Sequence, residues 1–194
     1  VTESTESTRQ LNQDLEELAS RRGYDTAREK VGLTASFVQH ALPYRIPEDE
    51  REDFNGTVRS IAGILPPLEV LHRGWGDCDS KSVLFATLLK QVPRQDVVLI
   101  HGHGHMFVGF RATPRHGEAH ISVRGDNYVL IEMTNPTPLG IISPTFLQAL
   151  QKRELHIVPI HGATSLANAP RGSKGTKKKR KGKKKRKDKG KRRG

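Results

Sequence analysis

The chain has 194 residues, 34% of them hydrophobic, one cysteine and a formal charge of +12. One cysteine excludes an intrachain disulfide, and no apolar run approaches the ~18 residues of a membrane span or forms the apolar centre of a signal peptide. The charge is local: 16 Lys or Arg and one acidic residue fall between Arg171 and Gly194, leaving 17 basic and 20 acidic residues in the rest. A basic face on the folded part is therefore not expected. The chain opens at Val1, so a processed form or a piece of a longer protein is expected, its folded part soluble.

The first predicted element runs from Thr2 to Arg22, with Leu11, Leu15 and Leu18 on one face and Gly23 as its stop. A second helix is predicted from Asp25, as N-cap, to Leu42, with Val31, Ala35, Val38 and Leu42 buried. Pro43 and Pro47 break the chain. A third short helix is expected over Val58 to Leu65, with Ile61 and Leu65 inward and Pro66-Pro67 closing it. Gly74-Trp75-Gly76 reads as a loop, and from Cys78 a strongly apolar helix begins that stops near Pro93.

Beyond that point the period becomes two. Val97 to Ile100, His105 to Arg111, His120 to Val123, Tyr128 to Met133 and Leu155 to Ile160 read as strands, with a short helix from Pro144 to Leu150 before the last. Helices first and an antiparallel sheet after them make an α+β pattern. From Ala163 onward the composition is that of a disordered tail.

Cys78 stands at the first turn of its predicted helix. Amides and dipole there favour an anion, and a thiolate is what nucleophilic catalysis needs. A lone cysteine is commonly a core residue, but Asp77 and Asp79 flank this one. His105 begins a strand, and Glu132 lies inside an apolar strand, where a carboxylate needs a partner. A carboxylate bonded to an imidazole fixes its tautomer and stabilises the imidazolium. Asp126, in the turn composition Arg124-Gly125-Asp126-Asn127, is expected to be solvated instead.

The run Gly74-Trp75-Gly76-Asp77-Cys78-Asp79-Ser80-Lys81-Ser82, followed by the Leu84 to Leu89 helix, resembles the nucleophile segment of the transglutaminase-like cysteine enzymes of the papain-like superfamily. His105-Met106-Phe107-Val108-Gly109-Phe110 resembles their histidine strand. Tyr128 to Glu132 with Thr134 and Pro136 resembles their acid strand. Leu65-Pro66-Pro67-Leu68-Glu69-Val70-Leu71 and Leu139-Gly140-Ile141-Ile142 are similar to flanking runs of the bacterial and archaeal branch. Where many members have Asp, this chain has Glu132, one methylene longer.

The resemblance covers roughly Thr34 to Ile160. It implies a papain-like core over residues 25–162, a helical extension over 1–24, and a Cys helix packed on an antiparallel sheet bearing His105 and Glu132. It also implies acyl transfer from a protein or peptide amide through a thioester, with no cofactor and no metal. The oxyanion would be held by the Cys78 amide and one further donor, for which Tyr44 and Trp75 are the candidates.

Two other readings compete. His101, His103 and His105 alternate, so on one strand they would share a face and could hold zinc with Cys78, Asp77, Asp79 or Glu132. Alternatively the domain is non-catalytic and tethered by its tail. Lys177 to Arg193 is rich in Lys and Arg and lacks aromatics, so it suits contact by charge with a polyanion, nucleic acid or anionic lipid.

Overall fold

The computed structural model describes residues 4–48, 50–52, 55–60, 63–92 and 95–160. The basic tail, Ile61 and Pro93 lie outside them. The chain begins with α1 (Ser4–Ser7), α2 (Arg9–Arg22) and α3 (Ala27–Ala41). Gly23 ends α2 in the left-handed conformation, at φ 71°. Thr26, not Asp25, caps α3: its hydroxyl accepts the Glu29 N–H while the Glu29 carboxylate reaches back to the Thr26 amide, a complete capping box.

The helix expected over Val58 to Leu65 does not form. Val58–Ser60 is strand β2, antiparallel to β1 (Glu50–Glu52). Asn55-Gly56, with Gly56 at φ 77°, supplies the reversal that a helical reading of this stretch overlooks. Pro66-Pro67 does not close a helix but opens one, α4 (Pro67–Arg73), because a first helical position needs no N–H. Next come α5 (Cys78–Leu89), β3 (Val97–Gly102), β4 (His105–Arg111), β5 (His120–Val123), β6 (Asp126–Ile131), α6 (Pro144–Gln151) and β7 (His156–Ile160). The fold is α+β.

The last five strands form one antiparallel sheet in the order β5-β6-β4-β3-β7. Alternation gives it two apolar faces. Val97, Leu99, Val108, Phe110, Val129 and Ile131 pack beneath the helices against Val31, Val38, Leu84, Phe85 and Leu88. Leu15 of α2 joins the same core. On the other face Val98, Ile100, Phe107, Tyr128 and Leu130 are covered by Ile142 and by Phe146, Leu147 and Leu150 of α6. Among the described residues no helix is long and apolar enough to cross a membrane.

Gly140 closes the loop that follows the acid strand. Its amide donates to the Leu130 carbonyl and its carbonyl accepts the Ala119 N–H, both at 2.8 Å. The residue sits at φ 78°, and a Cβ there would lie 2.5 Å from the Glu118 side chain. Gly140→Ala combines left-handed strain with overpacking and is expected to destabilise the fold by about 3 kcal/mol. Chemical denaturation of the two proteins measures it, and a loss within experimental error would contradict this account of the loop.

Candidate active site

Cys78 opens α5. Asp77 is the N-cap, its carboxylate accepting the Ser80 N–H at 2.9 Å, and Ser80 in turn accepts the Leu65 N–H at 2.8 Å. The preceding loop is held from the other side by residues 43–45: Gly76 N–H donates to Pro43 O at 3.3 Å and Arg45 N–H donates to Gly76 O at 3.1 Å. At the first position of α5 the Cys78 amide has no acceptor within the helix. The thiol is buried, 7% exposed, and lies 3.3 Å from Asp79 Oδ1.

α5 lies across β4 and β3. His105 is the first residue of β4, and Glu132 follows the last residue of β6. In an antiparallel pair those positions fall at the same end of the sheet, and Val108 pairing with Ile131 sets their offset. By alternation His105 emerges on the Phe107 face and Glu132 on the Leu130 face, which are one face of the sheet.

There the His105 ring bridges the site: its Nε2–H donates to Glu132 Oε2 at 2.7 Å, and the Cys78 side chain is close enough to act on the ring as a hydrogen-bond partner. The ring is stacked on Phe146 of α6, centroids 4.7 Å apart. Glu132 spends its other oxygen on Thr134, accepting the backbone N–H at 2.9 Å and the hydroxyl at 2.7 Å. Those two bonds turn the chain away from the sheet. So does Gln39 of α3, whose Nε2 donates to the carbonyls of Glu132 and Thr137 at 2.7 and 3.0 Å. This is why β6 stops at Ile131 and not at Met133.

Electrostatics follow from this geometry. Burial disfavours a charged His105, but the hydrogen bonds to Cys78 and Glu132 outweigh it and raise its pKa to about 9. Burial likewise works against a charged Glu132; its bonds from His105 and Thr134 win and hold its pKa below the usual carboxylate value. The imidazolium and the carboxylate are thus the favoured forms at neutral pH. In that form the ring is an acid held beside the Cys78 side chain.

Tyr44 forms a bridge with Gly76, and its phenol feels the charges of Cys78, Asp77, Asp79 and Glu132. Burial first, and those charges second, raise its pKa. Trp75 has the Arg45 and Arg73 guanidinium groups 4.9 and 5.2 Å from its ring and its body against the core. Asp126 is the exposed first residue of β6, 4.0 Å from Arg111, and the turn before it is Arg124-Gly125. It does not reach His105.

The three alternating histidines do not share a strand face. His103-Gly104 form a two-residue hairpin with φ 53° and 68°, so the chain reverses between His101 and His105. His101 stacks on His156 across β3 and β7, His103 pairs with Glu154 at 3.2 Å, and only His105 faces the thiol. Among the described residues no three His, Cys, Asp or Glu side chains are placed to hold a metal ion.

Sequence reasoning assigned no role to Gln39, Phe146 or Lys81. Thr134 carried a motif signal but no task. Lys81 is fully buried on α5, its ammonium donating to the Leu42 carbonyl at 2.8 Å. No protein-family model matches the chain and no curated protein matches it.

Proposed function

We propose that this chain is a cysteine-dependent acyl-transfer enzyme of papain-like, transglutaminase-like architecture, acting on protein or peptide amides. One observation carries the reading: a single imidazole lies between a thiol at a helix N-terminus, which acts on its titration, and a carboxylate to which it is hydrogen-bonded and which is itself fixed by two further bonds. Cys78 sulfur attacks the amide carbonyl as its proton rests on His105. The C–S bond forms, the C–N bond breaks, and His105 returns the proton to the departing amine. Water or an amine then attacks the thioester, giving up its proton to His105, and the C–S bond breaks with the sulfur reprotonated. The Cys78 amide and the Tyr44 phenol are the donors proposed for the oxyanion. Residues 177–193 would add contact with a polyanion through their charge alone.

An acyl or peptidyl vinyl sulfone tests the reading without knowledge of the substrate. Expected is one adduct per chain, on Cys78, formed far faster than on free glutathione and slowed by roughly 10²-fold or more in His105→Ala. Reaction at the glutathione rate in both proteins would reject it. Products formed from a peptide library with water or an added amine then separate hydrolysis from transamidation.

A further inference from the structure

A lysine with no exposed surface is rare, because an ammonium withdrawn from water loses more solvation than one hydrogen bond returns. Lys81 is 0% exposed, one turn after the thiol. Its Nζ donates to the carbonyl of Leu42, the residue that caps the C-terminus of α3, where helix carbonyls lack partners and the dipole is negative. The two residues after Leu42 carry the chain to Tyr44, and the 43–45 segment brackets Gly76 with two backbone hydrogen bonds. Gly76 is pressed against the lysine stem, since a Cβ there would stand 3.3 Å from Lys81 Cγ. The ammonium therefore ties the 42–45 segment, which carries Tyr44, to α5, the helix that Cys78 opens.

Charge supplies a second argument. With the thiol's proton on His105, the thiolate, imidazolium and Glu132 carboxylate together carry −1. His105 and Glu132 side chains are only 15% and 13% exposed. An uncompensated buried charge is costly. Glu132 is the group whose charge acts on Lys81, and the ammonium offsets that carboxylate in a site that also holds the Asp77 and Asp79 carboxylates.

The other ionisable groups nearby are otherwise engaged. On its own helix Asp77 caps the N-terminus, and Asp79 is partly exposed beside the thiol. On α4 Glu69 pairs with Arg73, and His72 is exposed. On α3 His40 is bonded to Ser36. Tyr44 is half exposed.

We propose that Lys81 is a positioning and charge-balancing residue of this site, fixing the 42–45 segment against Gly76 and supplying a buried positive charge that offsets the negative charge of the thiolate and the Glu132 carboxylate. This rests on the acyl-transfer reading above. Burial lowers the Lys81 pKa to about 8 against the pull of Glu132, so its contribution has a pH signature.

Alkylation of Cys78 by iodoacetamide is followed from pH 6 to 10 in the full chain, in Lys81→Met, and in Lys81→Gln, which keeps a donor for Leu42 but no charge. Both variants are expected to react about tenfold more slowly than the parent at pH 6.5. They converge with it above pH 9, where the parent has itself lost the ammonium. A ratio constant across pH, no difference, or failure of both variants to fold would overturn the inference, assigning Lys81 to packing alone. His105→Ala separates the two levels. If it leaves parent alkylation unchanged, the triad reading fails. If it slows alkylation while the Lys81 ratio stays flat, only the role of Lys81 fails.

Discussion

His105→Ala is expected to lower turnover by roughly 10³-fold or more while the protein stays folded. The ring lies between Cys78 and Glu132, so under the proposed mechanism its loss removes the acceptor for the Cys78 proton and the donor to the leaving amine together. The packing cost is limited, because the imidazole touches Phe146 and Glu132 at the end of the sheet and is not itself part of either apolar cluster.

The same substitution changes how stability depends on pH. His105 titrates at about 9 in the fold and at an ordinary 6.5 in the unfolded chain. Between those values the folded state binds more protons, so this group's contribution is complete below pH 6.5 and is lost as pH rises through 9. Lys81 acts with the opposite sign: its folded pKa of about 8 lies below the ordinary 10.5, so the unfolded chain binds more protons between them and stability rises with pH there. The parent is expected to lose stability from pH 6.5 to 8, to change little from 8 to 9, and to recover above 9. His105→Ala is expected to lack the first loss. Denaturation curves at half-unit pH intervals provide the check. A parent curve without the early loss would deny the pairing of His105 with Glu132 and Cys78.

Glu132→Gln is expected to lower turnover by roughly 10²-fold or more. The amide has the same shape, so the packing around Gln39 and Thr134 can persist. What disappears is the charge that stabilises the imidazolium. An amide placed with its NH2 toward His105 Nε2 also reverses the required donor and acceptor roles, and placed the other way it loses the Thr134 N–H bond. Asp126→Asn, on an exposed carboxylate 4.0 Å from Arg111, is expected to leave turnover within about twofold, as surface changes do. Equal rates in Glu132→Gln and the parent would remove Glu132 from the mechanism. A large loss in Asp126→Asn alone would move the role to that residue. Melting curves of both variants confirm that rates are compared between folded proteins.

Much of this arrangement was legible in local pattern. Period two after Pro93 placed all five strands of the main sheet, because alternation is imposed by the pleat itself. The change from glycine-rich loop to apolar run placed the start of α5 at Cys78, since a helix needs an N-cap and Asp77 supplies one. The residue types of Cys78, His105 and Glu132 could be singled out for the same reason: each sits where its chemistry would be wasted or costly without a partner.

The tertiary structure decided the rest. Hydrophobic period could not show that Val58 pairs with Glu52, because three-residue strands carry too little pattern and a turn between them outweighs it. Nor could it show that a reversal at His103-Gly104 sends three alternating histidines to three different partners. The meeting of Cys78, His105 and Glu132 depends on strand register and on α5 packing against β4, which are properties of packing between distant segments. Gln39, Thr134, Phe146 and Lys81 read as ordinary helix and loop residues until the neighbours that they satisfy are in place. A buried polar group is recognised by what it bonds to, and that partner, 39 residues away for Lys81 and 93 for Gln39, is set by the fold and not by local propensity.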